Sequence, residues 1–439
     1  MSDFVEVRLG DLAIVKSGFA FKSKDFGDHD YAVVKIANIK PPRVDLDSCQ
    51  KITSDCLARN NRAKNFELKK GDILIAMTGA TAGKIGRVPE TTSRVFLNQR
   101  VGKVFLRNPE SASYEYIYYF LSQKYVSNLI LQQSDGSAQG NISGQQIEQI
   151  KLPLPPLKNQ KAIAHILGTL DDKIELNQKM NQTLEEIAKA IFKSWFVDFD
   201  PVRAKAEGRP TGLPPEISDL FPDELVNSEI GEIPKGWEVA EISAYGRVIC
   251  GKTPSTKDPE NFDGEFPFIT IPDMRGNLLS IHTERSLSEK GAASLKGKML
   301  PAGSICVSCI ATPGLVSVTT SDSFSNQQIN SIVPRNEVDR EYLLFSMMTL
   351  GDLISSAGSG GSVFANLSTG RFKGLPILKP CKASRNAFST IVCPMLQRVE
   401  ISQKEISTLS ELRDTLLPKL ISGELRIPDA EKFLKEAGI

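Results

Sequence analysis

In this 439-residue chain, the side chains that could do chemistry are most concentrated in one basic segment. Residues 59–107 hold eleven Lys or Arg against three Asp or Glu, although the formal net charge of the whole chain is only +1. A local excess of this kind is typical of a surface that faces phosphates, and a solvated strand face is the alternative. The near-neutral total excludes a protein that coats polyanions along its whole surface.

Two cysteines and one acidic group could hold a metal. Cys306 and Cys309 have metal-type spacing, but no second pair accompanies them. On a strand, residues three apart point to opposite faces, so structural thiols are the better interpretation. Asp55, with Glu67 and Lys69 after it, loosely fits a metal-nuclease pattern that often arises by chance. We predict no catalytic residue and no metal site.

A glycine-rich segment, GATAGKIG at residues 79–86, invites comparison with a phosphate-binding loop. Three residues rather than four separate its first two relevant glycines, and Ile85 stands where magnesium binding needs Ser or Thr. A glycine-rich turn is therefore expected. Lys84 remains as an isolated cation that could meet a phosphate.

Composition and length limit the class of protein. Hydrophobic residues make up 41% of the chain and charged residues 24%, which is typical of globular proteins, and the length allows about three folding units. The sequence has no run near the ~18 apolar residues of a membrane span and no secretory signal at its start. Its seven Cys residues are thinly spread, as in proteins with reduced thiols. We therefore expect a cytoplasmic protein.

An internal repeat organises the chain. Five segments of the first half match five of the second in the same order. FVEVRLGDLAIVKSG at 4–18 lies beside WEVAEISAYGRVICG at 237–251, and FLNQRV at 96–101 beside FSNQQIN at 324–330. The other pairs are 69–83 with 301–314, 140–143 with 365–368, and 150–156 with 375–380. Because each copy reads as short β-branched strands, a helix and a Pro-containing closing strand, we predict two mixed α/β domains.

After each closing strand the apolar spacing changes to alternating intervals of four and three, which predicts a long helix. The two helices are expected to pack on each other, antiparallel, because neither can bury its stripe within its own domain. Two separate amphipathic helices are the alternative. The series is interrupted at Asn177 and Asn181. The predicted seam comprises Ile163, Leu167, Leu170, Ile174, Leu184, Ile191 and Trp195 on the first helix, and Ile391, Met395, Leu409, Leu416 and Leu420 on the second.

The predicted boundaries follow from these changes of pattern. The first α/β domain covers residues 1–156 and the first long helix 157–199. A connector rich in Pro and Gly covers residues 200–235, and we expect it to be extended rather than part of a core. The second domain covers residues 236–381, and the second long helix with a tail covers 382–427.

At this point the chain resembles a known family, the specificity (S) subunits of type I restriction–modification systems. The likeness covers nearly the whole sequence. It rests on the duplicated domains, on IFKSWFVDFDPVRAKAEG at residues 191–208, and on LRDTLLPKLISGELRI at residues 412–427. One departure is that residues 232–375 hold thirteen Lys or Arg against fifteen Asp or Glu, so the second domain is not visibly basic.

The resemblance implies a non-catalytic subunit that reads double-stranded DNA. Each target-recognition domain would read one half of a split, asymmetric site, and the antiparallel helices would measure the gap. Two modification (M) subunits, which carry S-adenosylmethionine and methylate adenine, would dock on the helices. Restriction (R) subunits, which use ATP and magnesium, would join to cleave. No cofactor is expected in this chain.

The repeat offers a filter for residues that read bases. Positions identical in both copies cannot distinguish two different half-sites, so Gly18/Gly251, Gly71/Gly303, Asn98/Asn326, Gln99/Gln327 and Asn141/Asn366 are expected to be scaffold. Readout is expected where the copies diverge and carry side chains that suit base edges. The predicted DNA-binding residues are Lys22, Lys24, Arg43, Arg59, Arg62, Lys64 and Lys84 in the first domain, and Lys252, Lys257, Arg275, Asn277, Lys296 and Lys298 in the second.

Two other functions stay open on the sequence alone. A self-sufficient nuclease would need a metal-bound carboxylate cluster, for which Glu67 is the candidate. A coiled-coil adaptor with no DNA role would show no salt-dependent binding to duplex DNA, since phosphate contacts make affinity fall as salt rises.

Overall fold

The structure, a computed structural model, describes residues 4–27, 30–133, 141–310, 312–356, 367–436 and 438. Two compact units divide the chain. The first combines residues 1–174 with 408–439, and the second comprises residues 175–407. Each unit contains strands, short helices and one end of each of two long helices, so the predicted mixed α/β class is confirmed.

Up to residue 154 the first unit is built from short strands linked by turns and brief helices. Its helices are α1 (Leu9–Leu12), α2 (Ser54–Arg59), α3 (Tyr114–Leu121), α4 (Lys124–Gln132) and α5 (Gly144–Glu148). Its strands are β1 (Val5–Arg8), β2 (Ala13–Ser17), β3 (Phe26–Gly27), β4 (Tyr31–Val34), β5 (Ile39–Lys40), β6 (Arg43–Val44), β7 (Gln50–Ile52), β8 (Glu67–Leu68), β9 (Ile73–Ala76), β10 (Ile85–Arg87), β11 (Val95–Leu97), β12 (Val101–Leu106) and β13 (Lys151–Leu154).

Two sheets carry this domain. One has the order β2-β12-β9-β10-β6-β5 and the other β3-β7-β4-β11-β8. The apolar run Ile73–Ala76 is buried along its whole length, as expected for a central strand. Strand β1 pairs antiparallel with β13, so the first strand lies beside the strand that leads into the first long helix, α6 (Leu157–Phe196).

The second unit continues from α6 into a second domain. Its helices are α7 (Asp200–Ala206), α8 (Pro215–Ser218), α9 (Ile271–Met274), α10 (Glu289–Ser294), α11 (Arg340–Ser356) and α12 (Thr369–Lys373). Its strands are β14 (Leu225–Ser228), β15 (Gly231–Pro234), β16 (Glu238–Glu241), β17 (Gly246–Cys250), β18 (Phe262–Ile269), β19 (Leu279–Ser280), β20 (Ser286–Leu287), β21 (Ile305–Ser308), β22 (Val316–Thr319), β23 (Phe324–Ser325), β24 (Ile329–Pro334) and β25 (Pro376–Lys379). The second long helix, α13 (Lys382–Ser422), and a terminal helix, α14 (Ile427–Glu436), complete the chain.

The second domain repeats the topology of the first. Its larger sheet, β17-β24-β21-β22-β19, corresponds to β2-β12-β9-β10-β6, and its smaller sheet, β20-β18-β23, corresponds to β7-β4-β11. The direction of pairing is kept as well: β4 with β11 and β18 with β23 are parallel, as are β6 with β10 and β19 with β22. The internal repeat in the sequence is therefore a repeat of fold.

The two long helices pack on each other within each unit. In the second unit they run antiparallel, because Asn177 Nδ2 donates to Glu405 Oε2 (3.0 Å) while the Phe192 ring, farther along α6, lies 5.8 Å from that of Phe388. In the first unit Arg413 Nη1 donates to Asp171 Oδ1 (2.8 Å). All twelve predicted seam residues are buried or half-buried. The alternative of two separate helices is wrong.

Polar side chains interrupt this seam in the second unit. Asn177, Asn181 and Ser402 are 5%, 6% and 0% exposed. Asn181 Oδ1 and Ser402 Oγ have no hydrogen-bond partner among the described residues. Since an unsatisfied buried polar atom costs about 1–3 kcal/mol, this polar layer weakens the contact between the two helices at these positions.

The segment 200–235 differs from the prediction of an extended connector without a core. It forms α7, α8 and the β14–β15 hairpin, and Val202, Phe221 and Ile233 are buried in the same core as Trp195. The Phe221 ring lies 5.2 Å from that of Trp195. Isolated apolar residues among prolines and glycines are enough to dock this segment when an aromatic cluster receives them.

Within the described residues, we find no helix whose length and apolar character would let it cross a membrane.

Candidate nucleic-acid interface

Five predicted DNA-binding residues of the first domain lie on one helical layer. This layer consists of the 3-10 turns Ser23–Asp25 and Asn61–Phe66 together with α2, and it packs through Cys56, Leu57 and Ala63 on the five-stranded sheet. Asp25 joins its parts, because its carboxylate accepts from Lys22 N (3.0 Å) and lies 3.9 Å from Arg59 Nη2. The exposed residues Lys22, Lys24, Arg59, Arg62 and Lys64 form what we call the first basic patch.

Arg43 and Lys84 lie apart from the first basic patch, on the six-stranded sheet. Arg43 is half-buried in β6, opposite Arg87 of β10. Lys84 is exposed immediately before β10 and lines a cleft of about 350 Å³ together with Lys124 and Arg413. The structure therefore divides the seven predicted residues of the first domain into two groups.

The second domain builds an equivalent layer from α10 and the 3-10 turn Pro259–Asn261. Ser288 caps α10 by accepting from Gly291 N (3.1 Å), as Thr53 caps α2 by accepting from Cys56 N (3.2 Å). Leu295, which follows α10, packs on the three-stranded sheet in a cluster with Phe268, Leu287 and Phe324. Lys257 precedes the turn, Lys296 and Lys298 follow the helix, and Lys252 follows β17. We call these four predicted residues the second basic patch.

Carboxylates reduce the positive charge of the second layer. Lys290 Nζ lies 2.8 Å from Asp258 and 2.6 Å from Glu260, and these two hydrogen bonds raise the pKa of Lys290 above its ordinary value. Residues 232–375 hold thirteen basic against fifteen acidic residues, and in this layer too acidic side chains offset the basic ones.

Arg275 and Asn277 lie at the end of α9, on the side of the larger sheet. Arg275 Nη2 is 3.4 Å from Thr312 Oγ1, and Asn277 Nδ2 donates to the Asp273 carbonyl (3.0 Å). Asn277 also lines a groove of about 540 Å³ beside Gln178 and other residues of the long helices. As with Arg43 and Lys84, the structure does not bring these two residues together with the lysines.

Two further cations were missed by the sequence analysis. Lys35 Nζ lies 3.7 Å above the Phe26 ring and donates to Gln50 Oε1 (2.5 Å), and burial lowers the pKa of Lys35. Arg285 lies 4.0 Å above the Phe262 ring in the second domain. Lys35 directly follows β4 and Arg285 directly precedes β20, so each adjoins a strand of the smaller sheet of its domain. The usable signal was a cation in a segment where the two copies diverge.

Part of the basic run at residues 59–107 is neutralised locally. All three acidic residues of the run pair within it: Glu67 with Arg94 (2.6 Å), Asp72 with Lys103 (2.5 Å) and Glu90 with Lys70 (2.9 Å). Hydrogen bonds from Arg94 lower the pKa of Glu67. Glu67, the nuclease candidate, is thus an arginine partner. Three exposed residues of the run, Arg59, Arg62 and Lys64, belong to the first basic patch.

The cysteine pair behaves as expected of structural thiols. Cys306 is buried with Ile249 and Ile329, whereas Cys309 belongs to the different core that contains Trp195. Burial raises the pKa of Cys306 to about 11. No group of three or more His, Cys, Asp or Glu side chains suited to a metal ion occurs in the part of the chain that the structure describes.

The glycine-rich segment is a turn. Residues Gly79–Thr81 form a 3-10 turn, and Gly83 then enters β10 with a φ of 81°. A Cβ on Gly83 would lie 2.7 Å from the Ser127 carbonyl oxygen, so the glycine allows the turn to pack against α4.

Some residues identical in both copies hold the scaffold as expected. A Cβ on Gly18 would lie 2.3 Å from the Leu97 carbonyl oxygen, and one on Gly251 would lie 2.1 Å from that of Asn326. Both Asn98 and Asn326 accept, through Oδ1, a hydrogen bond from the backbone N–H two residues later (3.4 and 3.0 Å). These contacts fix one turn, at residues 98–100 and 326–328, which we call the shared turn.

Two further repeated pairs complete the comparison of the copies. Gly71 and Gly303 both have a φ of 84°, a backbone conformation that favours glycine. Asn141 forms an isolated antiparallel bridge with Thr78, while its counterpart Asn366 lies outside the described residues.

Known proteins share both the sequence pattern and the fold. The family model described as the type I restriction modification DNA specificity domain matches residues 1–186 and again residues 234–409. The HindI specificity subunit of Haemophilus influenzae is 38% identical over 320 residues, which cover 64% of this chain and 70% of that protein. The MjaIX specificity subunit of Methanocaldococcus jannaschii is 24% identical over 414 residues, 92% of this chain and 86% of that one.

A solved structure agrees in fold. The type I restriction–modification S subunit from M. genitalium superposes with a TM-score of 0.59 at 15% identity, covering 95% of this chain and 96% of that one. The family model matches well over half of the chain, and it matches twice, once for each repeated domain. The chain therefore belongs to the DNA specificity subunits of type I restriction–modification systems, and its part in such a system is DNA recognition rather than catalysis.

Proposed function

We propose that this subunit recognises a bipartite, asymmetric DNA site, with one half-site read by each domain. Residues 1–156 and 236–381 act as the two target-recognition domains. Residues 157–199 and 382–427 form the helices that set the gap between the half-sites, and residues 200–235 connect the first helix to the second domain. The two basic patches, with Arg43, Lys84, Arg275 and Asn277 beside them, provide the contacts to DNA.

One observation carries this proposal: the two domains share a scaffold but differ in the polar side chains that the scaffold presents. Strand order, strand direction and the shared turn are repeated. The patches differ, because arginines occur in the first while the second contains only lysines and lies beside Lys290, which is held between two carboxylates. Two copies of one reader with different side chains are what two different half-sites require.

The long helices are proposed to dock the M subunits. In support, large apolar side chains on them are exposed in the second unit: Leu176 at 66%, Ile187 at 41% and Ile401 at 58%. Exposed apolar residues at helical spacing suit contact with another protein. S-adenosylmethionine would then be bound by the M subunits, and ATP with magnesium by the R subunits, so methylation and cleavage belong to the partners.

The test is genome-wide mapping of methylated adenine in a host that carries this chain and its M partner. We expect a single motif made of two short defined halves separated by a fixed gap of unspecified bases. The motif should disappear when the chain is deleted while the M partner is kept. An unsplit motif, or an unchanged pattern without the chain, would contradict the proposal.

A further inference from the structure

The shared turn occupies the same place in both domains. It joins β11 to β12 in the first domain and β23 to β24 in the second, so in each case it links the smaller sheet to the larger one. The N–H groups of Asn98 and Asn326 donate to the last residue of β4 and of β18, respectively, at 3.1 Å in both cases. The backbone that carries the next residue, Gln99 or Gln327, is therefore held in equivalent positions.

The glutamines themselves do not fill the scaffold role expected of identical residues. Both Gln99 and Gln327 are exposed, whereas the neighbouring asparagines close the turn. Gln327 Oε1 accepts a hydrogen bond from Thr253 Oγ1 (2.7 Å), a contact with a side chain rather than with backbone. Thr253 thus orients the amide through one lone pair of its oxygen, so the second lone pair can accept from a ligand while the amide nitrogen donates to it.

Cations stand beside both glutamines. Arg100 follows Gln99 directly and is exposed. In the second domain Lys252, a member of the second basic patch, donates through its backbone N–H to the Ser325 carbonyl (2.9 Å), next to the shared turn. An exposed carboxamide flanked by a cation suits a base edge that lies beside a phosphate.

We propose that Gln99 and Gln327 are equivalent DNA-reading residues that contact a base common to both half-sites. The inference rests on the proposed bipartite function. Residues identical in both copies cannot distinguish two half-sites, but they can recognise what the half-sites share. If each domain binds its half-site in the same way, the shared turn delivers its glutamine to the same relative position in each.

The base that fits is adenine, read in the major groove. A carboxamide offers one donor and one acceptor, which match N7 and the N6 amino group of adenine in a bidentate pair. The contact therefore differs in kind from those of the basic patches, whose lysines and arginines suit guanine or phosphate.

The experiment measures the affinity of the complex with the M partner for its mapped site, using Gln99→Ala and Gln327→Ala. Each variant should bind specific DNA about 5- to 150-fold more weakly, the range for one lost bidentate pair. Replacing adenines one at a time by 7-deazaadenine should find one position per half-site that weakens the wild type. That replacement in the first half-site should not weaken Gln99→Ala further.

Gln145→Ala provides the matched control, because Gln145 is an exposed glutamine of the first domain on α5, outside the shared turn. It should bind like the wild type. Gln99→Ala and Gln327→Ala that also bind like the wild type would overturn the inference, as would an equal loss on specific and non-specific DNA, which indicates a phosphate contact. A wild type that binds no two-part site would instead overturn the proposed function.

Discussion

The two domains meet the long helices through different chemistry at equivalent positions. In the first unit Tyr119 Oη donates to Asp171 Oδ2 (2.8 Å), and Arg413 Nη1 donates to the other oxygen of the same carboxylate (2.8 Å). The repeat places Phe345 where the first copy has Tyr119, and Leu396 where it has Asp171. Both of these residues lie in the apolar core of the second unit.

Aromatic packing replaces the ionic network in the second unit. The Phe192 ring lies 5.8–5.9 Å from those of Tyr342, Phe345 and Phe388. Burial raises the pKa of Tyr342 well above its ordinary value, and that hydroxyl donates to the Leu378 carbonyl. The corresponding hydroxyl of Tyr116 donates to the Pro153 carbonyl in the first unit, so the geometry of the helix against its closing strand is the same.

At the start of the long helices the chemistry is reversed, with a neutral contact in the first unit and an ion pair in the second. In the first unit Gln160, a neutral side chain, accepts from Ser113 N and donates to the Pro155 carbonyl (2.8 Å each). In the second unit Arg385 occupies the equivalent position, donating to the Pro380 carbonyl and forming a buried ion pair with Asp339. The repeat therefore constrains where a contact is needed, while either polar or apolar chemistry can provide it.

The largest effect on this comparison is expected from Phe192→Ala. Phe192 is 5% exposed at the centre of the aromatic cluster, and truncating a buried phenylalanine costs about 3–5 kcal/mol. The free energy of unfolding of the second unit should fall by that amount, similarly at low and high salt. Denaturant unfolding, monitored through hydrogen exchange of the α11 amides, measures this loss of free energy. Ile187→Ala, on an exposed position of the same helix, should cost far less.

A smaller loss, dependent on salt, is expected from Arg413→Met in the first unit. The Asp171 and Arg413 side chains are 24% and 20% exposed, between a surface and a buried pair, so we expect about 1–3 kcal/mol. Hydrogen exchange of α3 amides at low and at high ionic strength, roughly 0.05 and 1 M salt, measures it. Lys419→Met, on an exposed position of α13, is the control. A loss independent of salt would show that packing of the arginine stem, and not its charge, holds the contact.

The smallest effect concerns Glu67, whose partner Arg94 is replaced by Asp322 in the second copy. Because hydrogen bonds from Arg94 lower the pKa of Glu67, the pair stabilises the folded state above the unfolded pKa, and this stabilisation is lost as pH falls through the folded pKa. Glu67→Gln should cost less than about 1 kcal/mol at neutral pH, since both side chains are well exposed. Thermal unfolding of variant and wild type should converge in acid. A difference that persists there would exclude the ionised carboxylate as its cause.

The sequence predicted the repeated α/β fold because strand patterns and turn residues are local signals that occur twice. The helix seam was predicted less completely. In the first half of α13, Phe388 and Val392 are fully buried, although the predicted seam does not include them. The predicted seam residues Ile391 and Met395 are only half-buried there. A helix that contacts both a partner helix and a domain buries two faces, whereas the heptad spacing of apolar residues identifies only one of them.

Other features could not be predicted because their parts are distant in sequence. Tyr119, Asp171 and Arg413 come together only in the folded chain, and each alone reads as an ordinary polar residue. The docking of residues 200–235 and the helix α14 were also missed. The individual DNA-binding residues stay a prediction: the structure groups most of them into two patches, but which side chains meet a base depends on the DNA.

The polar layer has a consequence for how the molecule loses its structure. Asn177, Asn181 and Ser402 lie within a few residues of both places where the chain passes from one compact unit to the other. Cooperativity spreads through tightly packed apolar contacts, and it is weakened where buried polar atoms lack partners. The subunit is therefore expected to melt in two steps rather than one, with each compact unit unfolding in its own transition.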